Sequence, residues 1–164
     1  MAYREHPSTV VRLVEDELVG YPSARDQDCT VWVSLDDGDD EWEGLLGVRR
    51  SPDKAEIVAI PIFAYGLNLG DLVSVTRSAE GADVVTGLTA DGGNFTFRAI
   101  FDQESAPGEH WRRLMSDLQP HGCWFDTWSE SLIAISADGQ RCNAVADYLA
   151  AREDAGELHY ETGR

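Results

Sequence analysis

The chain has one lysine, Lys54, among its 164 residues, and thirteen basic residues against thirty acidic ones, for a formal charge of -17. The deficit of basic residues runs the whole length. Residues 1–50 carry twelve acids and five bases, 51–105 eight and three, and 106–164 ten and five, so no segment is basic. Such a field repels nucleic acid and anionic membranes and draws cationic proteins over a Debye length of roughly 8–10 Å. Cysteine is scarce and odd in number. Cys29, Cys123 and Cys142 lie far apart, which excludes a CxxC-type zinc site and fits reduced thiols better than a disulfide framework. No apolar run approaches the ~20 residues of a membrane span, and charges interrupt MAYREHPSTVVRLVEDELVG where a secretory signal would be apolar. The expectation is a soluble, cytoplasmic protein with no nucleic-acid or membrane partner.

Phosphate-binding glycine patterns are also lacking. Gly92-Gly93-Asn94 fits neither GxGxxG nor GxxxxGK[ST] and reads as a bulge or linker. The four histidines, His6, His110, His121 and His159, are scattered, so neither spacing nor composition points to a metal or a cofactor.

What the sequence does have is strand pattern, turns and a concentrated acidic stretch. STVVRLV (8–14) reads as a first strand and EDELVGYPSARDQD as a loop. CTVWVSL (29–35) alternates with period two, Asp37-Gly38 supplies a hairpin turn, and EWEGLLGV leads back. Ser51-Pro52-Asp53 marks the next turn, then AEIVAIPIF (55–63), a loop AYGLNLGD, a strand DLVSVTRS (71–78), and AEGAD turning into VVTGLTA. Frequent turns without a helical period predict a small antiparallel barrel or sandwich over roughly residues 8–90, and Pro61 favours an edge or strand end.

From Asp91 the texture changes. NFTFRAIF is a strand; Pro107 opens a helix with Trp111, Leu114, Met115 and Leu118 on one face, stopped by Pro120-His121-Gly122. CWFDTW and SLIAISA pair, Asp138-Gly139 turns, RCNAVADYLAAREDAG is a second helix, and ELHYET a last strand. The order β-α-β-β-α-β is the ferredoxin-like arrangement. The expected fold is therefore α+β: a β-rich barrel-like unit over 1–92 followed by a ferredoxin-like unit over 93–164.

Six carboxylates fall within eight positions of SLDDGDDEWEGLL: Asp36, Asp37, Asp39, Asp40, Glu41 and Glu43, around Gly38 and Trp42. An EF-hand would need glycine sixth from Asp36 and glutamate twelfth, but glycine is third and position 47 is another glycine. A general acid–base pair would need one carboxyl desolvated, and clustered turn acids are more easily solvated than tuned. Two readings stay open. Either Trp42 points into the core while Glu41 and Glu43 face water, or Trp42 is an exposed anchor ringed by acids that steer a basic partner. Cysteine–histidine catalysis is the remaining chemistry, since HGCWFDTW places His121, Cys123 and Asp126 close together. Cys123 equally reads as a small core residue beside Trp124 and Phe125.

VWVSL, IPIFAYGLNLGDLVSV and the terminal helix followed by ELHYE resemble a widespread bacterial family known only as a domain of unknown function. The resemblance covers most of residues 29–161, with Ile60, Pro61, Phe63, Gly66, Gly70, Asp71, Val73, Tyr160 and Glu161 on its pattern. It carries no catalytic set. Such acidic families also resemble the small antidotes of bacterial toxin–immunity systems, including contact-dependent growth inhibition. That resemblance implies a non-enzymatic cytosolic immunity protein that covers the active site of a cognate basic toxin, for instance a cationic nuclease. The binding residues expected on this reading are Asp36, Asp37, Asp39, Asp40, Glu41, Trp42 and Glu43. A small-ligand or regulatory domain using the cleft between the two units is the rival expectation, and a Cys123-dependent enzyme a third.

Overall fold

The computed structural model describes residues 2–35 and 40–163, and within them the chain is mostly strand with two helices. In chain order the strands are β1 (Ala2–Glu5), β2 (Val11–Val14), β3 (Glu17–Gly20), β4 (Cys29–Ser34), β5 (Glu41–Ser51), β6 (Lys54–Ile57), β7 (Leu72–Arg77), β8 (Asp83–Ala90) and β9 (Asn94–Ile100). There follow α1 (Glu109–Leu118), β10 (Trp124–Ser129), β11 (Leu132–Asp138), α2 (Cys142–Asp154) and β12 (His159–Thr162).

Strands β5, β4, β8, β7 and β6 form one sheet that closes on itself, because β5 pairs with β4 through its first half and with β6 through its second. The switch falls at Gly47, which is in register with Cys29 on β4 and with Ile57 on β6. A Cβ there would lie 3.2 Å from both the Cys29 sulfur and the Glu56 carbonyl, so a side chain at the barrel corner would have to push its neighbours aside by a few tenths of an ångström. Inside sit Val31, Leu45, Ala55, Ile57, Ala59, Leu67, Val73 and Val75. Period-two alternation in β7 supplies two of them: Val73 and Val75 are buried, whereas Thr76 is exposed. β1 adds to the barrel's outside, running parallel to β5.

The second sheet has the order β12-β9-β11-β10-β2-β3 and is antiparallel throughout. Here the structure departs from expectation. Residues 15–28 are not all loop, since β3 lies within them, and β2 and β3 belong to this second sheet, beside β10, rather than to the barrel. The chain begins on the barrel, crosses to the far sheet, and returns to the barrel at β4. Polar, charge-broken ELVG carries no alternation that would mark a strand; its partner β2 makes it one. Both faces of the sheet are covered. Phe97, Ile133, Ile135, Leu114, Met115, Val145 and Leu149 fill the layer beneath the helices. On the opposite face Ala134 meets Val10, Ile60, Ile62 and Leu69.

Those last three residues belong to the segment 58–71, expected in part as strand. The strand ends at Ile57 and the rest has no ladder, yet most of it is buried between barrel and sheet, Tyr65 and Gly66 being the exposed exceptions. A buried segment without a ladder must find other partners for its N–H and C=O groups. Asp71, fully buried, closes its far end by accepting from the Asn68 and Gly92 amides, each at 2.8 Å. Gly70 sits at φ +88° and Gly92 packs on it so closely that a Cβ on Gly92 would meet the Gly70 carbonyl at 2.5 Å.

Gly92→Ala should therefore push two backbone stretches apart and break the Asp71 bond. The expected loss is about 2–4 kcal/mol of unfolding free energy by denaturant titration. A change within 0.5 kcal/mol would show that this approach is not a constraint.

Candidate functional site

Strand alternation decides which of the acidic-stretch residues reach the surface. β5 pairs in register Ser34↔Trp42, Val33↔Glu43 and Trp32↔Gly44 with β4, and Tyr3↔Trp42 with β1. Leu45 points into the barrel, so Glu43 points inward with it and Trp42 and Gly44 point out. This is the reverse of the arrangement in which Trp42 enters the core and Glu43 meets water.

Glu43, expected on a partner-binding surface, is in fact completely buried. Its Oε2 accepts from the Ile62 amide at 2.7 Å and its Oε1 from those of Phe63 and Ala64 at 3.0 and 2.8 Å. His6 completes the set: its Nε2 lies 2.6 Å from Glu43 Oε2 and its Nδ1 2.8 Å from Asp126 Oδ2, with both carboxylates and the ring almost wholly buried. Asp126 also accepts from the Ser8 hydroxyl at 3.1 Å. Trp128 meets the His6 ring edge-on at 6.4 Å and the Phe63 ring at 4.9 Å, which walls the cluster from water. The same buried segment is held from the sheet side by Arg98, whose guanidinium donates to the carbonyls of Pro61 and Ala64 and lies 4.7 Å from the Tyr65 ring centre.

Burial alone would push the His6 pKa down, but the hydrogen bonds and charges of Asp126 and Glu43 outweigh it and raise the value to about 9. For Glu43, burial pushes up, while His6 and the Ile62 and Ala64 amides pull further down, leaving the carboxyl below its ordinary range. At neutral pH this is an imidazolium between two carboxylates, donating through both ring nitrogens.

The remaining residues of the acidic stretch behave differently. Asp36, Asp37 and Asp39, and with them the expected Asp37-Gly38 turn, lie outside the described residues. Asp40 is exposed at φ +56° and accepts from Trp42 Nε1 at 3.3 Å. Glu41 pairs with Arg4 at 2.8 Å. Trp42 forms one wall of an open trough of about 210 Å³ on the outside of the barrel, with Tyr3, Trp32 and Val84 from the neighbouring strands and Asp40 and Glu80 at its rim. Trp32 lies over Gly44, whose missing Cβ would come within 2.9 Å of the indole, and meets the Tyr3 ring at 5.3 Å and 75°.

Between the barrel connections and the second sheet runs a cleft of about 410 Å³, lined by Asn68, Asn94, Thr96, Cys142, Asn143 and Gly163 among others. Three of these side chains are engaged in structural hydrogen bonds: Asn94 Nδ2 donates to the Leu69 carbonyl, and the Thr96 hydroxyl to Asn68 Oδ1. Cys123 is a core residue of the helical layer, and burial pushes its thiol up to about 12. Among the described residues no hydrogen bond joins it to His121, and burial disfavours its thiolate form. No group of three or more His, Cys, Asp and Glu side chains is placed to hold a metal among the described residues, and no helix among them is long and apolar enough to cross a membrane.

Sequence reasoning missed His6, which meets partners 37 and 120 residues away. The available signal was on the other partner: a glutamate inside the apolar run EWEGLLGV requires a buried counter-charge if it points inward.

Replacing either member of the Glu43–His6 pair should expose its worth. Glu43→Gln places an amide against backbone N–H donors and should cost about 3 kcal/mol. His6 is protonated more readily folded than unfolded, so its contribution is whole below pH 6.5 and fades as pH rises towards 9. Glu43 has the opposite sign, and its contribution fades as pH falls below its ordinary value of 4.5. Stability measured by urea titration should fall by on the order of 3 kcal/mol between pH 6.5 and 9. His6→Asn should flatten that slope, and an unchanged slope would show that His6 is neutral in the fold.

Comparison with known proteins gives a fold and a family. A crystal structure of a hypothetical protein from Neisseria gonorrhoeae superposes with a TM-score of 0.70 over 82% of this chain and 93% of that one, at 20% sequence identity. No curated protein matches the chain. Residues 43–160 match the model of DUF4265, a domain of unknown function, which begins at the Glu43 that anchors the buried segment. The chain belongs to the DUF4265 family.

Proposed function

We propose that this chain is an acidic cytoplasmic immunity protein, an inhibitor that binds a cognate basic toxin and covers its active site. The observation that carries the reading is the trough: Tyr3, Trp32 and Trp42 line an apolar hollow rimmed by Asp40 and Glu80, on a chain of formal charge -17. Exposed aromatics supply the burial that anchors a protein interface, and the surrounding charge steers an oppositely charged partner and rejects like-charged ones. A cationic nuclease has the complementary surface, since it must itself attract phosphate. Nucleic acid and anionic membranes meet repulsion over every third of the chain.

The binding set on this reading is Asp40, Glu41 and Trp42, with Asp36, Asp37 and Asp39 beside them in sequence. Glu43 supports the site from within, because it holds the strand that presents Trp42. A ferredoxin-like second unit goes with the proposal as its scaffold, supported by the chain order β-α-β-β-α-β and the lateral order β12-β9-β11-β10. The cleft of about 410 Å³ between barrel and sheet favours a second reading, a small polar ligand bound against Asn143 and Gly163.

Capture of a partner from native lysate at low and high salt, with co-expression of the neighbouring upstream gene product, separates the two. An immunity protein retains one stoichiometric protein, toxic alone and harmless in company, and associates more slowly as salt rises. Trp42→Ala should weaken that complex by about 2 kcal/mol, roughly thirtyfold, without unfolding a chain in which Trp42 lies outside the core. Equal affinity of the Trp42 variant would remove the trough from the interface, and the absence of any such partner would sink the immunity reading.

A further inference from the structure

We infer that the trough is a cage for a guanidinium group, so that the partner on the reading above inserts an arginine side chain between Trp32 and Trp42. The first support is how the chain treats its other tryptophans. Trp124 carries Arg12 over its ring at 4.4 Å and Trp111 carries Arg112 at 4.9 Å, while Trp128 is packed edge-on by Phe63 and His6. Trp32 and Trp42 have no arginine over them among the described residues, although open space adjoins both.

The local cations are committed elsewhere. Arg4 pairs with Glu41 and lies over Phe63 at 4.2 Å, and Arg49 and Arg77 both pair with Asp83. Among the described residues no lysine or arginine lines the trough, whereas Asp40 and Glu80 do. Among the described residues the hollow therefore has two indole walls and two carboxylates without a resident counter-charge.

Geometry favours a planar cation. Trp32 is spread over β5 because Gly44 leaves room for it, and Tyr3 stands across it at 75°. Trp42 donates its own N–H to Asp40 Oδ1, and among the described residues no hydrogen bond occupies the other Asp40 oxygen, which can accept from a bound group. Rings set at a steep angle with acids at the rim attract a cation through the negative ring faces. Guanidinium is flat, weakly hydrated and able to stack while donating sideways to carboxylate, which a strongly hydrated ammonium does less well. The occupant assigned is thus an arginine of a protein partner.

A titration that needs no partner tests the cage separately from the immunity reading. The uniformly 15N-labelled protein is titrated with N-acetylarginine amide, with the citrulline analogue, which keeps the shape and loses the charge, and with tetramethylammonium chloride. The five indole N–H signals serve as site and control at once. Expected is a saturable shift of the Trp32 and Trp42 signals alone with arginine amide, at least about tenfold weaker binding of the citrulline analogue, and loss of the shift in Trp42→Leu. The unmoved Trp111, Trp124 and Trp128 signals of that variant report that it is folded. Gly44→Ala, which lifts Trp32, should weaken binding too.

Equal binding of the citrulline analogue, or no saturable shift with arginine amide, overturns the cage. Tighter binding of tetramethylammonium than of arginine amide also overturns it, in favour of a free quaternary ammonium ligand. Arginine selectivity together with failure to capture any partner would leave the cage standing and remove the immunity function. Capture of a partner that Trp42→Ala disrupts, without arginine selectivity, would do the converse.

Discussion

The buried carboxylate of Glu43 is the constraint on which the arrangement of this molecule turns. A loop such as 58–71 normally runs on the surface, where water satisfies its backbone. Here it is packed between a closed barrel and a six-stranded sheet, and its amides at Ile62, Phe63 and Ala64 converge on one side chain. Glu43 could not be placed there uncharged or unpaired without leaving donors unsatisfied, and could not be charged there without a counter-ion. His6 provides that charge and passes it on to Asp126 on the sheet. One ion chain thus joins the barrel, the N-terminal segment and the second sheet. Arg98 does the corresponding work for carbonyls, so the segment is held by an anion from one side and a cation from the other.

Much of this was visible in the sequence, and the division between visible and hidden follows the range of the interaction. Strands β4 to β9 and both helices announce themselves by alternation, turns and caps, which are properties of neighbouring residues. Pro107 and Gly122 bracket the α1 segment, and Gly156 at φ +75° follows α2. What failed was long-range. ELVG becomes strand β3 only because β2 lies beside β10, more than a hundred residues on. The inward turn of Glu43 depends on the register of β5 against β4, and a one-residue slip would have exchanged it with Trp42. A cluster of six acids invites a single explanation, yet Asp40, Glu41 and Glu43 play three different parts.

The closure of the barrel gives the outward-facing aromatics, Tyr3 exposed and Trp32 and Trp42 half-buried, their fixed geometry. Tyr3, Trp42, Trp32 and Val84 stand on four adjacent strands, β1, β5, β4 and β8, all on the outer face. A sheet closed through β5 and β6 cannot splay, so the spacing between these rings is set by strand pairing rather than by their own contacts. Pre-set spacing lowers the ordering cost of binding, which is what a surface needs if a few side chains are to carry most of an interface.

The N-terminal segment couples this outer face to the interior hub. Within six residues Tyr3 walls the trough, Arg4 pairs with Glu41 and stacks on Phe63, His6 bridges Glu43 and Asp126, and Ser8 ties to Asp126 and Thr127. The position of Tyr3 on the surface is therefore fixed by a charge buried beneath it. Glu43, Asp71, Arg98 and Asp126 fall inside the span 43–160 that matches the family, whereas His6, like Tyr3, Trp32 and Trp42, precedes it. The buried ion chain therefore straddles the edge of the matched span: His6, from before it, neutralises Glu43 and Asp126 within it, so the strand that carries Tyr3 is tied to the shared frame by charge as well as by pairing.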